Sequence, residues 1–327
     1  MDRRTVLAAG LGGMLLPHAA WGQEHGLGYL PGDSEEFIGL WPGTPPGGEG
    51  IKLDLKVTDT VEPDGFHVRA ISQIQTPGFF VYRPVKPTGL GLLIIPGGGY
   101  ASEGGDRGGR EIAQYFAARG IISFVLRYRL PGEGWKNREI VPLQDAQRAM
   151  RLVRANAGTY GIDPARIGFM GFSAGGHLAC SIATRFAAKV YAPVDAVDTA
   201  DARPSFSVPM YPVVTMGQGR HAGSRDKLLG TDPSDALIDA YSCERHVPSD
   251  TPPTWLCLAA DDATVEPMPN AGAYFTALQA AKIPSEIHVF EAGGHGFGLA
   301  RTVGRPTAVW PDLLLHWGTA HGLFKQG

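Results

Sequence analysis

Short apolar runs alternate with helical patterns along the central part of the chain. The runs Leu90–Ile95, Ile121–Tyr128 and Ile167–Phe172 are mostly apolar, as is expected of strands that are buried on both faces of a parallel sheet. In residues 142–157 the apolar side chains recur every three or four positions and form one stripe of a helix. Strands that alternate with helices in this way predict an α/β fold, with a mostly parallel sheet covered by helices on both faces.

The same patterns predict the remaining elements and the extent of the domain. We expect residues 51–327 to form one domain, with an insertion of loops and short helices at 212–250. Residues 23–50 are rich in Gly and Pro and predict an arm without a helix. Pro209 lacks a backbone N–H, so the strand that contains it is expected to be irregular. Further strands are expected at Ile51–Val57, Phe79–Tyr82, Ser205–Tyr211, Trp255–Ala260 and Glu286–Phe290, and further helices at Arg110–Arg119, Ser173–Phe186, 267–282 and 307–320.

Residues 1–22 have the features of an export signal. Arg3 and Arg4 precede a weakly apolar run that ends at Leu16, and this run is shorter than the roughly 20 residues that cross a bilayer. The segment Ala20–Gly22 offers a small-residue cleavage site before Gln23. Paired arginines predict the twin-arginine type of signal and hence a periplasmic or secreted protein. An ordinary cytosolic N-terminus with two chance arginines is the alternative.

Composition excludes several classes of protein. Hydrophobic residues make up 43% of the chain and charged residues 19%, so a disordered chain is excluded. The net charge of −3 provides no electrostatic basis for binding nucleic acid or an anionic membrane. The cysteines, Cys180, Cys243 and Cys257, form neither a disulfide framework nor a C-x-x-C metal motif. We therefore expect no cofactor, no metal and no nucleic-acid partner.

The strongest chemical signal is a Gly-x-Ser-x-Gly motif around Ser173. It directly follows the expected strand Ile167–Phe172 and opens a helix, which is the context of a nucleophile elbow. A serine in such a strained turn needs small neighbours, and Gly171, Ala174 and Gly175 meet that need. The motif predicts that Ser173 is a nucleophile, whereas a helix start with glycines for close packing is the alternative.

A serine nucleophile requires a base and an acid that orients it. With this elbow the chain order is serine, acid, histidine, each at the end of a strand. His295 follows the expected strand Glu286–Phe290 among glycines, so it is the expected base. Asp261 and Asp262 both follow the preceding strand, and at this point either can be the acid. Of the other histidines, His288 is expected to be structural, and His177 to support the site from behind.

A third motif, Pro96–Tyr100, follows a buried strand and contains three glycines. The backbone N–H groups of Gly98 and Gly99, with that of Ala174, are the expected donors of an oxyanion hole. A phosphate-binding loop is the competing interpretation. No Lys-Ser/Thr pair follows and no G-x-G-x-x-G frame fits, so a nucleotide site is not expected.

These motifs resemble those of α/β-hydrolase esterases, in the group that contains bacterial acetyl xylan esterases and related carbohydrate deacetylases. The resemblance implies an α/β-hydrolase fold and a triad of Ser173, Asp262 and His295, because the group's Asp-x-x-Val pattern falls on Asp262–Val265. It also implies an acyl ester on a sugar, often acetate, as substrate. The resemblance extends over about residues 40–320 and depends on Leu40–Gly43, Pro96–Tyr100, Tyr128–Pro131, Asp163–Gly168, Gly171–Ala179 and Gly294–Gly298.

Other functions share parts of this pattern. Pro96 and Phe172 differ from the residues usual in the hormone-sensitive-lipase group, which argues against a lipid esterase or a general carboxylesterase on small esters. A prolyl-oligopeptidase-like serine peptidase usually carries a large gating domain, and the 28 residues of 23–50 are too few for one. A non-catalytic binding protein is disfavoured because triad and glycine loop are both intact.

The expected partner is an acylated carbohydrate or another small ester. Candidate substrate contacts are Tyr100, next to the glycine loop, and His221 and Arg225 in the insertion. The polar groups of His221–Arg225 suit sugar hydroxyls, although a solvated loop explains the same residues. The leaving alcohol, the acyl length and the oligomeric state are not determined by the sequence.

Overall fold

An eight-stranded sheet forms the centre of the computed structural model, which describes residues 33–62 and 65–324. The first two strands across the sheet pair antiparallel with their neighbours, and all later neighbours pair in parallel. This arrangement confirms the expected, mostly parallel sheet. The order across the sheet is β1 (Phe37–Gly39), β4 (Gly78–Tyr82), β7 (Ile122–Arg127), β5 (Gly91–Ile95), β8 (Ile167–Phe172), β9 (Ser207–Met210), β10 (Thr254–Ala259) and β11 (Ser285–Phe290).

Helices cover both faces of this sheet and create two apolar cores. One core contains side chains from the helices Val141–Ala155 and Ala174–Arg185, and the other contains side chains from the helices Glu111–Ala117, Ala273–Ala280 and Trp310–Ala320. All residues of β5, β7 and β8 are buried, as expected for strands between two helical layers. The α-helices are α1 (Glu111–Ala117), α2 (Val141–Ala155), α3 (Ala157–Tyr160), α4 (Ala174–Arg185), α5 (Ala222–Leu229), α6 (Asp235–Tyr241), α7 (Ala273–Ala280) and α8 (Trp310–Ala320).

Shorter elements complete the described chain. The helical turns Asp106–Arg110 and Met268–Gly272 lead into α1 and α7. A second sheet combines β2 (Lys56–Val61), β3 (His67–Ser72) and β6 (Glu103–Gly104). Single 3-10 turns occur at Arg138–Ile140, Ala196–Thr199, Cys243–Arg245, Ala300–Thr302 and Pro306–Val309.

The first expected strand, Ile51–Val57, is wrong in its position. The side chains of this segment do alternate between partly buried and exposed, yet the strand β2 begins only at Lys56. The N–H of Leu53 donates to the side-chain oxygen Oε1 of Gln75 at 2.8 Å instead of to a neighbouring strand. The alternation of apolar and polar residues therefore shows which face of this segment packs on the protein. It does not show that the backbone of the segment pairs with a neighbouring strand.

Segment 212–250 and the N-terminal segments belong to the expected division of the chain. Segment 212–250 contains the helices α5 and α6 and the turn Cys243–Arg245. The expected export signal and residues 23–32 of the arm lie outside the described residues. In the described part of the chain no helix is long and apolar enough to cross a bilayer, and no three His, Cys, Asp or Glu side chains are grouped so as to hold a metal ion.

A fully buried ion pair joins the arm, the segment that follows β7, and α2. The side chains of Arg129 and Asp145 are both 0% exposed, and Arg129 Nη2 lies 2.8 Å from Asp145 Oδ1. Arg129 also donates to the carbonyl oxygen of Pro46 at 2.8 Å, and Trp41 Nε1 donates to Asp145 at 2.8 Å. Every charge of the pair is thus hydrogen-bonded, and removal of one partner would leave the other charge buried without compensation.

We expect Asp145→Asn to lower the free energy of unfolding by about 3–5 kcal/mol, because the Arg129 charge stays buried beside a neutral amide. Urea unfolding followed by circular dichroism measures the change. The matched control is Glu49→Gln, whose partner Lys136 lies 3.7 Å away in a pair that is 65% and 72% exposed. This control should change stability by less than about 1 kcal/mol. An Asp145→Asn variant as stable as this control would contradict the expectation.

Candidate active site

Ser173 occupies a turn of one residue between β8 and α4. Its backbone has φ 56° and ψ −117°, a left-handed conformation that is uncommon for residues other than glycine. Phe172 and Ala174 on either side are buried, whereas Ser173 is partly exposed. The turn therefore presents the serine hydroxyl at the carboxyl edge of the sheet.

Steric constraints around this turn exclude side chains at two positions. A Cβ atom on Gly171 would collide with the carbonyl oxygen of Gly175, and one on Gly175 would collide with that of Ile95. The sequence motif thus meets a packing requirement, as expected for a nucleophile elbow.

The side chains of Ser173, His295 and Asp262 form one continuous line of hydrogen bonds. His295 Nε2 lies 2.8 Å from Ser173 Oγ, and His295 Nδ1 lies 2.7 Å from Asp262 Oδ2. An ionised carboxylate only accepts, so Nδ1 carries the proton and Nε2 offers its lone pair to the serine hydroxyl. The three residues follow β8, β11 and β10, whose parallel ends meet at one edge of the sheet.

The surroundings of Asp262 favour its charged form. Burial by itself would raise the pKa of Asp262, but the hydrogen bond from His295 and those from the backbone N–H groups of Val265 and Thr264 outweigh it and hold the pKa below its usual value. A carboxylate next to His295 stabilises the proton on Nδ1 and the orientation of the ring.

Asp261 interacts with the same loop in a different way. Its Oδ1 accepts the backbone N–H groups of Gly293 at 2.9 Å and Gly294 at 2.7 Å. The structure therefore brings Asp262, and not Asp261, to the imidazole of His295. Asp262 thus bonds to the histidine ring, and Asp261 bonds to the backbone that precedes the histidine.

The glycine loop after β5 closely approaches the serine. A Cβ on Gly97 would lie 3.0 Å from the Cβ of Ser173. Gly98 and Gly99 have φ 135° and 65°, a region that glycine adopts without strain. Within residues 33–62 and 65–324, the N–H groups of Gly98, Gly99 and Ala174 have no hydrogen-bond partner in the protein. These expected donors are therefore free to bind a substrate oxygen.

Tyr100 does not have the role of a substrate contact that the sequence suggested. Its side chain is 1% exposed, and its hydroxyl lies 2.8 Å from Nδ1 of His177, which is equally buried. Because the buried ring packs against Tyr128 and His177, its hydroxyl cannot meet a substrate without rearrangement. Tyr100 is therefore not a substrate contact in this structure, because its hydroxyl is buried and bonded to His177.

His221 and Arg225 have different environments at the start of α5. The half-buried ring of His221 precedes the helix, and its Cε1 lies 3.9 Å from the position that a Cβ of Gly99 would take. Burial and the nearby His295 lower the pKa of His221. The guanidinium of Arg225 instead pairs with Asp226 at 2.9 Å. His221 thus lies beside the glycine loop, while a substrate contact by Arg225 stays a prediction.

Tyr211 is a neighbour of the site that no sequence motif indicates. This buried residue directly follows β9, and its ring centroid lies 5.1 Å from that of His295 and 4.8 Å from that of Phe297. Its position at the carboxyl end of a central strand was the available signal, because Ser173 and His295 follow strands in the same way. His288 lies in β11 with Nε2 2.6 Å from Glu286, in line with a structural role.

Known proteins share this fold and these motifs. The sequence profile of the BD-FAE family matches residues 81–271. An acetylxylan esterase of Xylanibacter ruminicola is 32% identical over 221 residues, which are 66% of this chain and 43% of that protein. An endo-1,4-beta-xylanase B of Butyrivibrio fibrisolvens is 36% identical over 209 residues, which are 64% of this chain and 32% of that protein. The chain spans less than half the length of these two curated relatives.

A solved structure extends the likeness to almost the whole chain. The acetyl ester-xyloside bifunctional hydrolase of Caldicellulosiruptor lactoaceticus is 32% identical with a TM-score of 0.73, over 91% of this chain and 100% of that chain. The expected α/β-hydrolase fold is thereby confirmed, and the names of the relatives support the expected enzyme class, a carboxylic ester hydrolase. Since the family profile matches more than half of its residues, the chain belongs to the BD-FAE family.

Proposed function

We propose that this chain is a serine esterase that removes acyl groups, acetyl above all, from carbohydrate. The observation that carries the proposal is the unbroken line of hydrogen bonds from Asp262 through His295 to the partly exposed hydroxyl of Ser173. Relatives named acetylxylan esterase and acetyl ester-xyloside hydrolase support the acetyl group and the sugar. Export through the predicted signal at residues 1–22 is part of the proposal, because a polymeric substrate lies outside the cell.

In the first half of the reaction, Ser173 Oγ attacks the ester carbonyl while His295 Nε2 accepts its proton. The carbonyl oxygen gains negative charge, which the N–H groups of Gly98, Gly99 and Ala174 stabilise. The sugar hydroxyl leaves with the proton held by His295, and the acyl group stays bound to Ser173 as an ester.

In the second half, His295 takes a proton from water, and the resulting hydroxide attacks the acyl-serine at the same donor groups. The bond between the acyl carbon and Ser173 Oγ then breaks, His295 returns its proton to Oγ, and acetate is released. Asp262 remains charged throughout, because its pKa is held below the usual value, and it stabilises the imidazolium that forms twice in each cycle.

Recognition of the sugar is assigned to His221. Its Nδ1 accepts the backbone N–H of Ser224 at 3.2 Å as the N-terminal cap of α5, so the neutral ring carries its proton on Nε2. Among the described residues this Nε2 has no hydrogen-bond partner. A fixed N–H donor beside the glycine loop suits a sugar hydroxyl next to the ester.

We expect Ser173→Ala to lower kcat for p-nitrophenyl acetate by about 10⁴-fold or more, because no nucleophile remains. Labelling by a fluorophosphonate should disappear with it. The matched control is Ser181→Ala, which removes a buried hydroxyl from α4, the helix that follows Ser173; the Oγ of Ser181 lies 3.5 Å from Cys243 Sγ. The control should keep both activity and labelling. A folded Ser173→Ala protein with wild-type turnover would contradict the proposal.

The two neighbouring aspartates allow a second test. Asp262→Asn should lower kcat by about 10⁴-fold, because an amide can hold the imidazole in the wrong tautomer. Asp261→Asn keeps an oxygen that can accept from Gly293 and Gly294, so its kcat should fall by less than about tenfold, the equivalent of one net hydrogen bond. Steady-state kinetics of both variants on one ester distinguishes them. A larger loss in Asp261→Asn would reverse the assignment.

Substrate recognition is tested with His221→Asn, which keeps an oxygen to cap α5 and removes the ring. We expect kcat/KM for acetylated xylo-oligosaccharides to fall by about tenfold, the equivalent of one hydrogen bond, while p-nitrophenyl acetate changes by less than about twofold. Arg225→Ala, with its side chain paired to Asp226, is the comparison variant and identifies any contribution of Arg225. Equal losses on both substrates would contradict a sugar contact by His221, and wild-type preference for long-chain aryl esters would contradict the carbohydrate substrate.

A further inference from the structure

A buried chain of hydrogen bonds connects the glycine loop, the nucleophile helix and the insertion. Tyr100 OH lies 2.8 Å from His177 Nδ1, and His177 Nε2 lies 2.8 Å from the backbone oxygen of Tyr241. Tyr100 ends the glycine loop, His177 lies one turn into α4, and Tyr241 is the last residue of α6. Three segments that are distant along the chain therefore meet at one imidazole.

The direction of each bond in this chain is fixed. A carbonyl oxygen only accepts, so His177 Nε2 must carry the ring proton and donate to Tyr241. Nδ1 is then a lone pair, and the Tyr100 hydroxyl must donate to it. Burial lowers the pKa of His177 to about 4, which keeps the ring neutral and this direction intact near neutral pH.

The glycine loop needs contacts with other parts of the protein to keep its conformation, because its backbone is strained at Tyr100. This residue has φ 57°, a left-handed conformation that a bulky side chain adopts only where its surroundings enforce it. The loop has its own bonds from the N–H groups of Ala101 and Ser102 to Gly98, at 3.1 and 3.2 Å. Tyr128 also donates to the carbonyl oxygen of Pro96, at 3.2 Å. The Tyr100 hydroxyl is the contact that ties the far end of the loop to α4.

The same helix α4 carries the nucleophile. The backbone N–H of His177 donates to the carbonyl oxygen of Ser173 at 3.2 Å, so the two residues are joined within one helical turn. The bond from Tyr100 to His177 therefore links the loop that carries the Gly98 and Gly99 amides to the helical turn that begins at Ser173. In acyl transfer the distance between these amides and the Ser173 hydroxyl matters, because a misplacement of 1 Å can reduce the rate by about 10²-fold.

We propose that Tyr100 and His177 are positioning residues that hold the Gly98–Gly99 donors in register with Ser173 during catalysis. This inference rests on the proposed esterase function and adds two residues that touch neither substrate nor the reacting atoms. It also gives the insertion at 212–250 a part in catalysis, because Tyr241 fixes the tautomer on which the Tyr100 bond depends.

The test removes one end of the Tyr100–His177 bond. Tyr100→Phe keeps the ring and should lower kcat by about 10- to 100-fold, with KM changed by less than about twofold. Affinity for a boronic acid that forms a tetrahedral adduct on Ser173 should fall in parallel. Tyr160→Phe is the matched control: Tyr160 is 8% exposed and packs on Phe124, and its loss of a hydroxyl should leave kcat unchanged.

Two substitutions of His177 separate positioning from general stability. The amide of His177→Asn reaches about as far as Nδ1 and can still accept from Tyr100, whereas that of His177→Gln reaches about as far as Nε2 and can only replace the bond to Tyr241. Both should lower the melting temperature. We expect kcat of the asparagine variant to stay within about threefold of wild type, and that of the glutamine variant to fall as in Tyr100→Phe.

The outcomes distinguish this inference from the esterase proposal. If wild type is labelled by a fluorophosphonate and hydrolyses aryl acetates, but Tyr100→Phe and His177→Gln lose only thermal stability and keep kcat, the positioning role is wrong and the esterase stands. Equal kcat in the asparagine and glutamine variants also overturns it. A wild-type chain that is neither labelled nor active overturns both proposals.

Discussion

The tight passage from β8 to α4 is the constraint on which the rest of the site depends. Because the chain turns within one residue, Ser173 adopts a left-handed conformation, and strain of about 1–3 kcal/mol is held by the packing around it. The same turn places the first N–H of α4 beside the hydroxyl. Gly97 also packs closely against it, because a Cβ atom added to Gly97 would lie only 3.0 Å from the Cβ of Ser173. Nucleophile and donors are thus set by backbone geometry, so that only His295 and Asp262 must be supplied by side chains from elsewhere.

The sequence predicted the central sheet well, because strands buried on both faces have a simple apolar signature. Ile167–Phe172 has the expected bounds, and the neighbouring strands differ by one or two residues. The failures lie at the margin of the fold. Strand β1 has only three residues, all partly buried, and segment 51–55 alternates in burial while its Leu53 N–H bonds to a side chain. Periodicity reports which face is covered and does not report which backbone groups are paired.

In the site, local motifs identified the residues that sit on strand ends, and long-range contacts escaped prediction. The order of Ser173 and His295 was readable because each follows a strand. The choice between Asp261 and Asp262 depends on which carboxylate turns toward the ring, and adjacent residues in a loop have no periodicity that settles it. Tyr100 looked like a substrate contact because its hydroxyl follows the glycine loop, but its partner His177 is 77 positions away and nothing local indicates the pairing.

Because of the order of strands in the sheet, enzymatic activity requires that strands from distant parts of the chain have all docked. Ser173 and His295 are 122 positions apart, and the strands that deliver them, β8 and β11, are separated by β9 and β10. An intermediate in which β11 has not docked possesses a nucleophile and no base, whatever the quality of its remaining structure. Recovery of turnover after denaturation therefore requires that β11 has docked beside β10, whereas circular dichroism also reports helices and strands that form without it.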